Sequence, residues 1–144
     1  MEYQEIIKAS DHGLPQHRAR IFLVGFKNDK TNDFKFPLKV KRKMTMSDIF
    51  NGQCTKDIGF TLRVGGRGSG ITDRRNWDAY MVNGKVSILT SKEAKKMQGF
   101  PETFKFDVSE SQAMKQLGNS IAIPVAEAVI LKIMEYIKKQ EQFN

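Results

Sequence analysis

The stretch from Leu14 to Phe26 limits the possible folds more than any other, because a polar loop leads directly into a short apolar run. Residues 21–24 are all apolar, a pattern typical of a strand that is buried on both faces. Gln16, Arg18 and Arg20 are spaced by two at the start of that strand, so an extended chain projects all three to one side. The pattern predicts two permanent guanidinium charges that can bind an anion or a carbonyl oxygen. Alternatively, one or both arginines pair with carboxylates elsewhere in the fold.

Most of the net positive charge of the chain lies in residues 39–75. The formal net charge is +8, and residues 39–75 contain nine basic residues against three acidic ones. Such a segment predicts binding to a polyanion, because lysine and arginine neutralise phosphate groups. The alternative is a solvated basic surface that maintains solubility.

Length and composition set the protein class. A chain of 144 residues is long enough to bury a core of its own. The single cysteine, Cys54, excludes an internal disulfide, and with only two histidines no metal-ligand cluster is recognisable. The sequence shows neither a signal-peptide pattern nor 18 consecutive apolar residues, so we expect a soluble cytoplasmic protein without a membrane partner.

Local patterns predict several strands. Tyr3–Lys8 and the apolar run at residues 21–24 are predicted strands, joined through a glycine- and proline-containing loop. Asn83 and Gly84 lie between two further apolar runs, which is the pattern of a β-hairpin with a two-residue turn. A turn at Asn28–Asn32 and an extended segment at Phe34–Pro37 are also expected.

Capping residues predict four helices. The first is expected at residues 45–50, the second from Thr90 and Glu93 to just before Gly99, the third from Ser109 to Gly118, and the last from Pro124 onward. Gly52 is expected just beyond the end of the first helix. In the last helix a spacing of four predicts a buried stripe of Val125, Val129, Ile133 and Ile137.

A glycine- and arginine-rich stretch over residues 60–77 is the second chemically informative region. Its glycines allow close approach of a ligand to the backbone, and its arginines supply fork-shaped donors. Asn76 adds an amide able to read a base edge, while Trp77 could equally stack on a base or pack in the core. The stretch does not match a nucleotide-phosphate loop, and a flexible surface turn is the alternative.

Three motifs occur in an order that resembles a known family. They are Gln16-x-Arg18-x-Arg20 before an apolar strand, Gln98-Gly-Phe-Pro101 after Leu89-Thr-x-x-Glu93, and Gln116-Leu-Gly-Asn-Ser120 before an apolar helix. They resemble the eighth, ninth and tenth motifs of the DNA cytosine-5 methyltransferases. Together with the variable basic segment between the first two, the resemblance covers nearly the whole chain.

The resemblance implies an α/β fold, the C-terminal part of an S-adenosylmethionine-dependent methyltransferase with a small, irregular β-rich insertion. Residues 1–36 would hold the last strands of the catalytic domain, residues 37–89 the target-recognition region, and residues 90–144 the helical return to the cofactor domain. In this family the methyl group of S-adenosylmethionine moves to C5 of a cytosine that is flipped out of duplex DNA.

The resemblance also implies candidate site residues. Gln16, Arg18 and Arg20 are the catalytic candidates: Arg20 would hold the O2 oxygen of the flipped cytosine, and Arg18 would brace the catalytic loop and a nearby phosphate. Asn119 and Ser120 would lie beside the cofactor. The DNA-binding candidates are Thr61, Leu62, Arg63, Gly66, Arg67, Arg74, Arg75 and Asn76, and Thr61-Leu62 matches a Thr-Leu pair of the family.

Three family motifs are absent from this sequence: the Phe-x-Gly-x-Gly cofactor loop, the Pro-Cys nucleophile and Glu-Asn-Val. Cys54 lacks a preceding proline and falls in the recognition region, so it is not a candidate nucleophile. We therefore expect the chain to be inactive alone and to need a complementary methyltransferase chain of a restriction-modification system, or else to self-associate through its exposed core. The alternatives are a non-catalytic DNA-binding remnant or regulator and an RNA-directed relative of the family.

Overall fold

The computed structural model describes residues 1–27 and 31–142, so the predicted turn at Asn28–Asn32 falls largely on residues outside the described ranges. The elements, in chain order, are β1 (Glu2–Lys8), a 3-10 turn (Ala9–Asp11), β2 (Ala19–Gly25), α1 (Met46–Phe50), β3 (Ala79–Val82), β4 (Lys85–Ile88), α2 (Ser91–Met97), α3 (Glu110–Asn119) and α4 (Ile123–Glu141). The fold is mixed α/β, as the sequence predicts.

The first sheet pairs β1 with β2 in antiparallel register, from Glu2 opposite Gly25 to Lys8 opposite Ala19. Its inner face packs against α4 in one apolar cluster. The outer face is uncovered, with Ile6, Ile21 and Leu23 respectively 63%, 66% and 74% exposed. The prediction that β2 is buried on both faces is therefore wrong for the described chain, because only one of its faces meets a packed helix.

Helix α4 buries a stripe that differs from the predicted one at its end. Val125 and Val129 are buried and Ile133 is partly buried, but Ile137 is 45% exposed and Tyr136 is buried in its place. A spacing of four residues drifts by about 40° at each step of a helix with 3.6 residues per turn. After three steps Ile137 has rotated away from the sheet, and Tyr136 faces it.

A second core forms around the β3–β4 hairpin and α2. Asn83 and Gly84 have φ of +50° and +74°, the left-handed values that a tight two-residue hairpin turn requires, so the predicted hairpin is confirmed. The capping box predicted at Thr90 and Glu93 is present, and the predicted N-cap Thr45 forms a capping box with Asp48. Ser109 caps α3 by accepting from the backbone N–H of Gln112. The core cluster includes Met46, Ile49, Leu62, Trp77, Tyr80, Leu89, Met97 and Leu117.

Two glycines near helix ends lie where a side chain would collide with neighbouring atoms. Gly52 lies just beyond the end of α1, as predicted, and its N–H donates to the carbonyl of Ser47. Helix α1 ends with Asn51 in the left-handed conformation, and a Cβ at Gly52 would lie only 2.8 Å from Nδ2 of Asn83. Gly118, predicted to end the third helix, lies inside α3, where a Cβ would be 2.7 Å from the carbonyl carbon and oxygen of Arg63. The helix therefore continues to Asn119, and Gly118 admits the backbone of residue 63 against it.

One helical stretch, Glu110–Glu141, contains a window long and apolar enough to cross a membrane by composition alone. The stretch consists of two helices that are separated at residues 120–122. Part of its apolar surface packs in the first core through Val125, Val129 and Tyr136. This combination is weak evidence for a membrane span.

Replacing Gly118 with Ala is expected to lower the free energy of unfolding by about 1–3 kcal/mol, the usual cost of overpacking. The new methyl group would collide with backbone atoms of Arg63, which cannot move as a flexible side chain can. Urea denaturation measures the effect. Gly65→Ala is the matched control, since no atom lies within 4 Å of its Cβ position. Equal effects of the two substitutions would contradict this account.

Candidate functional site

Gln16 is a fully buried amide that joins three separate stretches of the chain. Its Nε2 donates to the carbonyl of Met97 at 3.1 Å and to Oε1 of Gln98 at 3.0 Å. Its Oε1 accepts from the backbone N–H of Leu62 at 3.1 Å. Because the side chain is inaccessible and its amide is satisfied, Gln16 positions other residues rather than touching a substrate.

Gln98 extends this network to the end of α3. Its Nε2 donates to the carbonyl of Leu117 at 2.8 Å and to Oγ of Ser120 at 2.9 Å. The Ser120 hydroxyl in turn donates to the carbonyl of Leu117 at 2.8 Å. The hydroxyl of Ser120, a predicted cofactor-side residue, is therefore already engaged within the protein.

Arg18 is buried and binds backbone carbonyls. Its Nη1 donates to Leu62 at 3.2 Å, and its Nη2 donates to Gly118 at 2.8 Å and Ser120 at 2.6 Å. Burial, with a smaller contribution from the charge of Arg20, lowers the pKa of Arg18 to about 10, so the guanidinium remains protonated at neutral pH. It stabilises the carbonyl end of α3 and is not accessible to a phosphate, in contrast to the brace that the resemblance implies.

Arg20 is the exposed member of the motif. Its Nη1 donates to the carbonyl of Ala19 at 2.8 Å, and its side chain lines a cleft of about 360 Å³. The same cleft is lined by Asn119 and, on its apolar side, by Phe22 and Ile121. Two of the predicted site residues from distant parts of the chain, Arg20 and Asn119, thus meet on one surface beside β2.

Several predicted DNA-binding residues are structural. Leu62 is a core residue, and the hydroxyl of Thr61 donates to the carbonyl of His17. Both amide atoms of Asn76 bind the backbone of Ala79, its Nδ2 to the carbonyl and its Oδ1 to the N–H, each at 2.9 Å. Asn76 therefore has no free amide with which to read a base, because its side chain closes the turn before β3.

Trp77 packs in the core rather than stacking on a base. Its ring is buried, and its Nε1 donates to the carbonyl of Gly65 at 3.1 Å. The alternative left open by the sequence is thereby decided in favour of packing. Gly66 follows in the same loop with φ of +78°, a value at which a side chain would be strained.

Two predicted DNA-binding arginines are engaged with carboxylates. Arg75 donates from Nε and Nη2 to both oxygens of Asp73, at 3.1 and 2.8 Å, and this lowers the pKa of Asp73 to about 2. Arg67 lies with Nε 3.6 Å from Oδ2 of Asp78 and donates from Nη2 to the carbonyl of Leu89 at 2.7 Å. These two predicted DNA-binding arginines are therefore paired with acidic side chains inside the protein.

Among the arginines of residues 37–89, Arg63 and Arg74 are the exposed ones that have no ion pair or hydrogen bond within residues 1–27 and 31–142. Their guanidinium groups are free to contact a polyanion. In the same described ranges no group of three or more His, Cys, Asp or Glu residues could hold a metal ion.

Sequence reasoning missed Gln98 and Asp78 as individual site residues. Gln98 lies inside the Gln-Gly-Phe-Pro motif, and its place in that motif was a signal that could have identified it as a site residue. Asp78 is an acidic residue within the otherwise neutral run Asn76–Tyr80, all of which is buried. A lone carboxylate in such a run indicates a specific internal partner, since an unpaired buried charge is costly.

Replacing Gln16 with Leu is expected to lower the free energy of unfolding by at least about 2 kcal/mol, since each buried polar group left without a partner costs about 1–3 kcal/mol. The Leu62 N–H and the Gln98 side chain would both lose a partner. Gln116→Leu in α3 is the control, because Gln116 is exposed. Thermal and urea unfolding of the two variants give the comparison, and similar stabilities would argue against a central role for Gln16.

Comparisons with known proteins find relatives of similar sequence. The Type II methyltransferase M.SsoII of Shigella sonnei is 32% identical over 166 aligned positions, which cover 92% of this chain and 44% of that protein. M.NlaX of Neisseria lactamica, another Type II methyltransferase, is 31% identical, with 88% and 50% covered. The chain thus spans about half the length of the curated relatives it matches.

Solved structures show the same fold. The methyltransferase EhMeth of Entamoeba histolytica matches with a TM-score of 0.59 and 16% identity, over 97% of this chain and 54% of that one. The DNMT2 protein of Spodoptera frugiperda matches with a TM-score of 0.64 and 14% identity, over 93% and 58%. The predicted α/β methyltransferase fold is confirmed. A family model described as C-5 cytosine-specific DNA methylase matches residues 2–63 and 68–135, and the chain therefore belongs to that family.

Proposed function

We propose that this chain is the C-terminal portion of a DNA (cytosine-5)-methyltransferase. In this role it binds duplex DNA, holds a flipped cytosine and supplies part of the S-adenosylmethionine site, in the cytoplasm and within a restriction-modification system. The observation that carries the proposal is the cleft in which Arg20 and Asn119 meet. Its two walls are joined by the buried network of Gln16, Arg18 and Gln98, so the motif residues form one site.

Arg20 is suited to hold the cytosine. Its guanidinium is exposed at the start of β2 and permanently charged, so it can donate to the O2 oxygen of a flipped base. A positive donor there stabilises the negative charge that develops on the pyrimidine when a nucleophile attacks C6. Arg18 contributes by fixing the end of α3 opposite Arg20 rather than by touching the base.

Asn119 is the more suitable of the two predicted cofactor-side residues. Its amide is exposed at the last residue of α3, whereas the hydroxyl and carbonyl of Ser120 are already bonded internally. Ile121 and Phe22 give the cleft an apolar wall that fits the non-polar part of a nucleoside cofactor. When bound, S-adenosylmethionine supplies the methyl group. In this chain Asn119 would orient it, and Ser120 would fix the position of Asn119.

Duplex DNA would lie against the basic segment at residues 39–75. Arg63 and Arg74 supply the free guanidinium groups, and the glycines at residues 65–70 leave the backbone uncovered. The β3–β4 hairpin beside them is a two-stranded ribbon of a size that the major groove admits. Arg67, Arg75, Thr61, Leu62, Gly66 and Asn76 would shape this surface.

The nucleophile would come from a complementary segment of the enzyme. The sequence holds no Pro-Cys, and the chain spans about half the length of its relatives. The uncovered outer sheet face, with Ile6, Ile21 and Leu23, is the apolar surface on which that segment would pack. Within the described residues β2 has a strand partner on one edge only, so the other edge can extend the sheet.

Methyl transfer from labelled S-adenosylmethionine to duplex DNA tests the proposal. We expect no transfer by this chain alone and transfer when the protein encoded immediately upstream is added. Arg20→Ala and Asn119→Ala should each reduce the reconstituted rate by about 100-fold or more, as loss of an electrostatic donor does, and leave DNA affinity within about twofold. Lys105→Ala, on an exposed segment away from the cleft, should retain full activity.

The competing function is a DNA-binding module without catalysis. It predicts no methylation in either mixture, with DNA binding intact and insensitive to Arg20 and Asn119. That result would replace the methyltransferase proposal, whereas failure to bind duplex DNA would contradict both functions.

We expect the isolated chain to self-associate through the uncovered sheet face, because burying a large apolar side chain gains about 1.5–3 kcal/mol. Sedimentation velocity over a range of concentrations measures the association. The double substitution Ile21→Gln/Leu23→Gln should shift the chain toward monomer. The control is Leu38→Gln/Val108→Gln, which changes two exposed apolar residues away from the sheet. A wild-type chain that is monomeric at all concentrations would contradict this prediction.

A further inference from the structure

A buried carboxylate lies directly beneath the recognition surface and has no role in the chemistry described above. Asp78 is fully buried, immediately before β3. Its Oδ1 has no hydrogen-bond partner among the described residues. Burying a partly satisfied carboxylate lowers stability, so packing alone does not account for an acidic side chain at this position.

The partners of Asp78 belong to one loop, residues 65–70, which we name the glycine loop. Oδ2 of Asp78 accepts from the N–H of Gly68 at 3.0 Å and lies 3.6 Å from Nε of Arg67. Arg67 also donates to the carbonyl of Leu89, at the end of the hairpin. Asp78 therefore ties the middle of the glycine loop to the scaffold at two successive residues.

The residue before Asp78 holds the start of the same loop. Nε1 of Trp77 donates to the carbonyl of Gly65 at 3.1 Å. Trp77 and Asp78 are consecutive, and both are anchored in the core by the turn that Asn76 closes on Ala79. Three points of the loop, at residues 65, 67 and 68, are thus fixed from one rigid segment.

The glycine loop is ordered without being covered. No atom lies within 4 Å of the Cβ positions of Gly65, Gly68 and Gly70, so no neighbouring part of the protein packs there. Gly66 and Gly68 adopt φ of +78° and +81°. Glycine loses much backbone freedom when it is ordered, so this loop would be mobile without specific bonds. The bonds to Asp78 and Trp77 replace packing as the source of order.

We propose that Asp78 is a positioning residue for sequence recognition, which holds the glycine loop in its DNA-reading conformation before DNA binds. This inference rests on the DNA-binding part of the proposed function. A preordered loop loses no further conformational entropy on binding, and its backbone presents a fixed shape to the groove. Arg67 serves the same purpose from the loop side, while Arg63 and Arg74 remain free for contacts with DNA.

The first test measures loop order without DNA. The chain has one tryptophan, Trp77, and its Nε1 is bonded to the loop, so acrylamide quenching of its fluorescence reports loosening. Asp78→Asn and Arg67→Gln should each raise the quenching constant severalfold at temperatures where the circular dichroism spectrum is unchanged. Asp107→Asn, an equal charge change at an exposed site, should leave it unchanged. Val129→Ala, which destabilises the other core, should also leave it unchanged. Unchanged quenching in both loop variants would overturn the proposal.

The second test separates discrimination between DNA sequences from overall affinity for duplex DNA. The wild-type chain selects a preferred duplex from a random 30-base-pair pool, and dissociation constants are then measured for the preferred and the random duplexes. Asp78→Asn should lower the ratio of the two affinities about tenfold, the size of one poorly read base pair, with random-duplex affinity within about twofold of wild type. Arg74→Gln should weaken both duplexes and reduce the salt slope by about 0.9.

The possible outcomes distinguish failure of the role of Asp78 in sequence readout from failure of the proposed DNA-binding function. A loosened loop with unchanged discrimination, or equal loss on both duplexes, would overturn the role of Asp78 in readout. So would a wild-type chain that binds duplexes without preference. A wild-type chain that binds no duplex contradicts the proposed function itself, and the quenching test still decides whether Asp78 orders the loop. If Asp78→Asn fails to fold, Arg67→Gln gives both measurements, because it leaves the buried position intact.

Discussion

The hydrogen-bond network of Gln16 and Gln98 is the interaction on which the rest of the structure depends. The described residues form two apolar clusters, one around the β3–β4 hairpin and one between the first sheet and α4. The two amides lie where segments of these clusters meet, and both polar atoms of each amide have backbone or side-chain partners. Such bonds are strong in a low-dielectric interior and costly to break. They therefore fix the position of one apolar cluster relative to the other, which apolar packing alone would do less specifically.

The same network explains why three distant motifs occur together. The last carbonyls of a helix lack partners within the helix. At the end of α3 they are satisfied by Arg18 from the first motif and Gln98 from the second, while the third motif provides the small Gly118 that lets Arg63 approach. The positive guanidinium also complements the negative end of the helix dipole. Each motif is thus partly a structural requirement of the others. Of the motif residues that line the cleft, Arg20 and Asn119 are the exposed ones.

Sequence reasoning succeeded where the signal was local. The hairpin at Asn83 and the capping boxes at Thr45 and Thr90 depend on residues within four positions of one another, and all three are present. It failed where burial depends on distant partners. Residues 21–24 form a strand as predicted, but whether its second face is covered depends on what packs there. Likewise, nothing near Asn76 or Trp77 in sequence distinguishes a base reader from a side chain that closes a turn or packs in a core.

The basic segment also shows what composition can predict and what depends on the three-dimensional structure. Counting charges identifies residues 39–75 as a candidate polyanion surface but treats every arginine as equal. In the structure Arg67 and Arg75 are paired with carboxylates and shape the backbone, whereas Arg63 and Arg74 are unpaired among the described residues. Phosphate contacts give affinity that depends on salt, and fixed shape gives discrimination between sequences. If the proposed function holds, these two properties reside in different arginines, so affinity and discrimination can change independently in this domain.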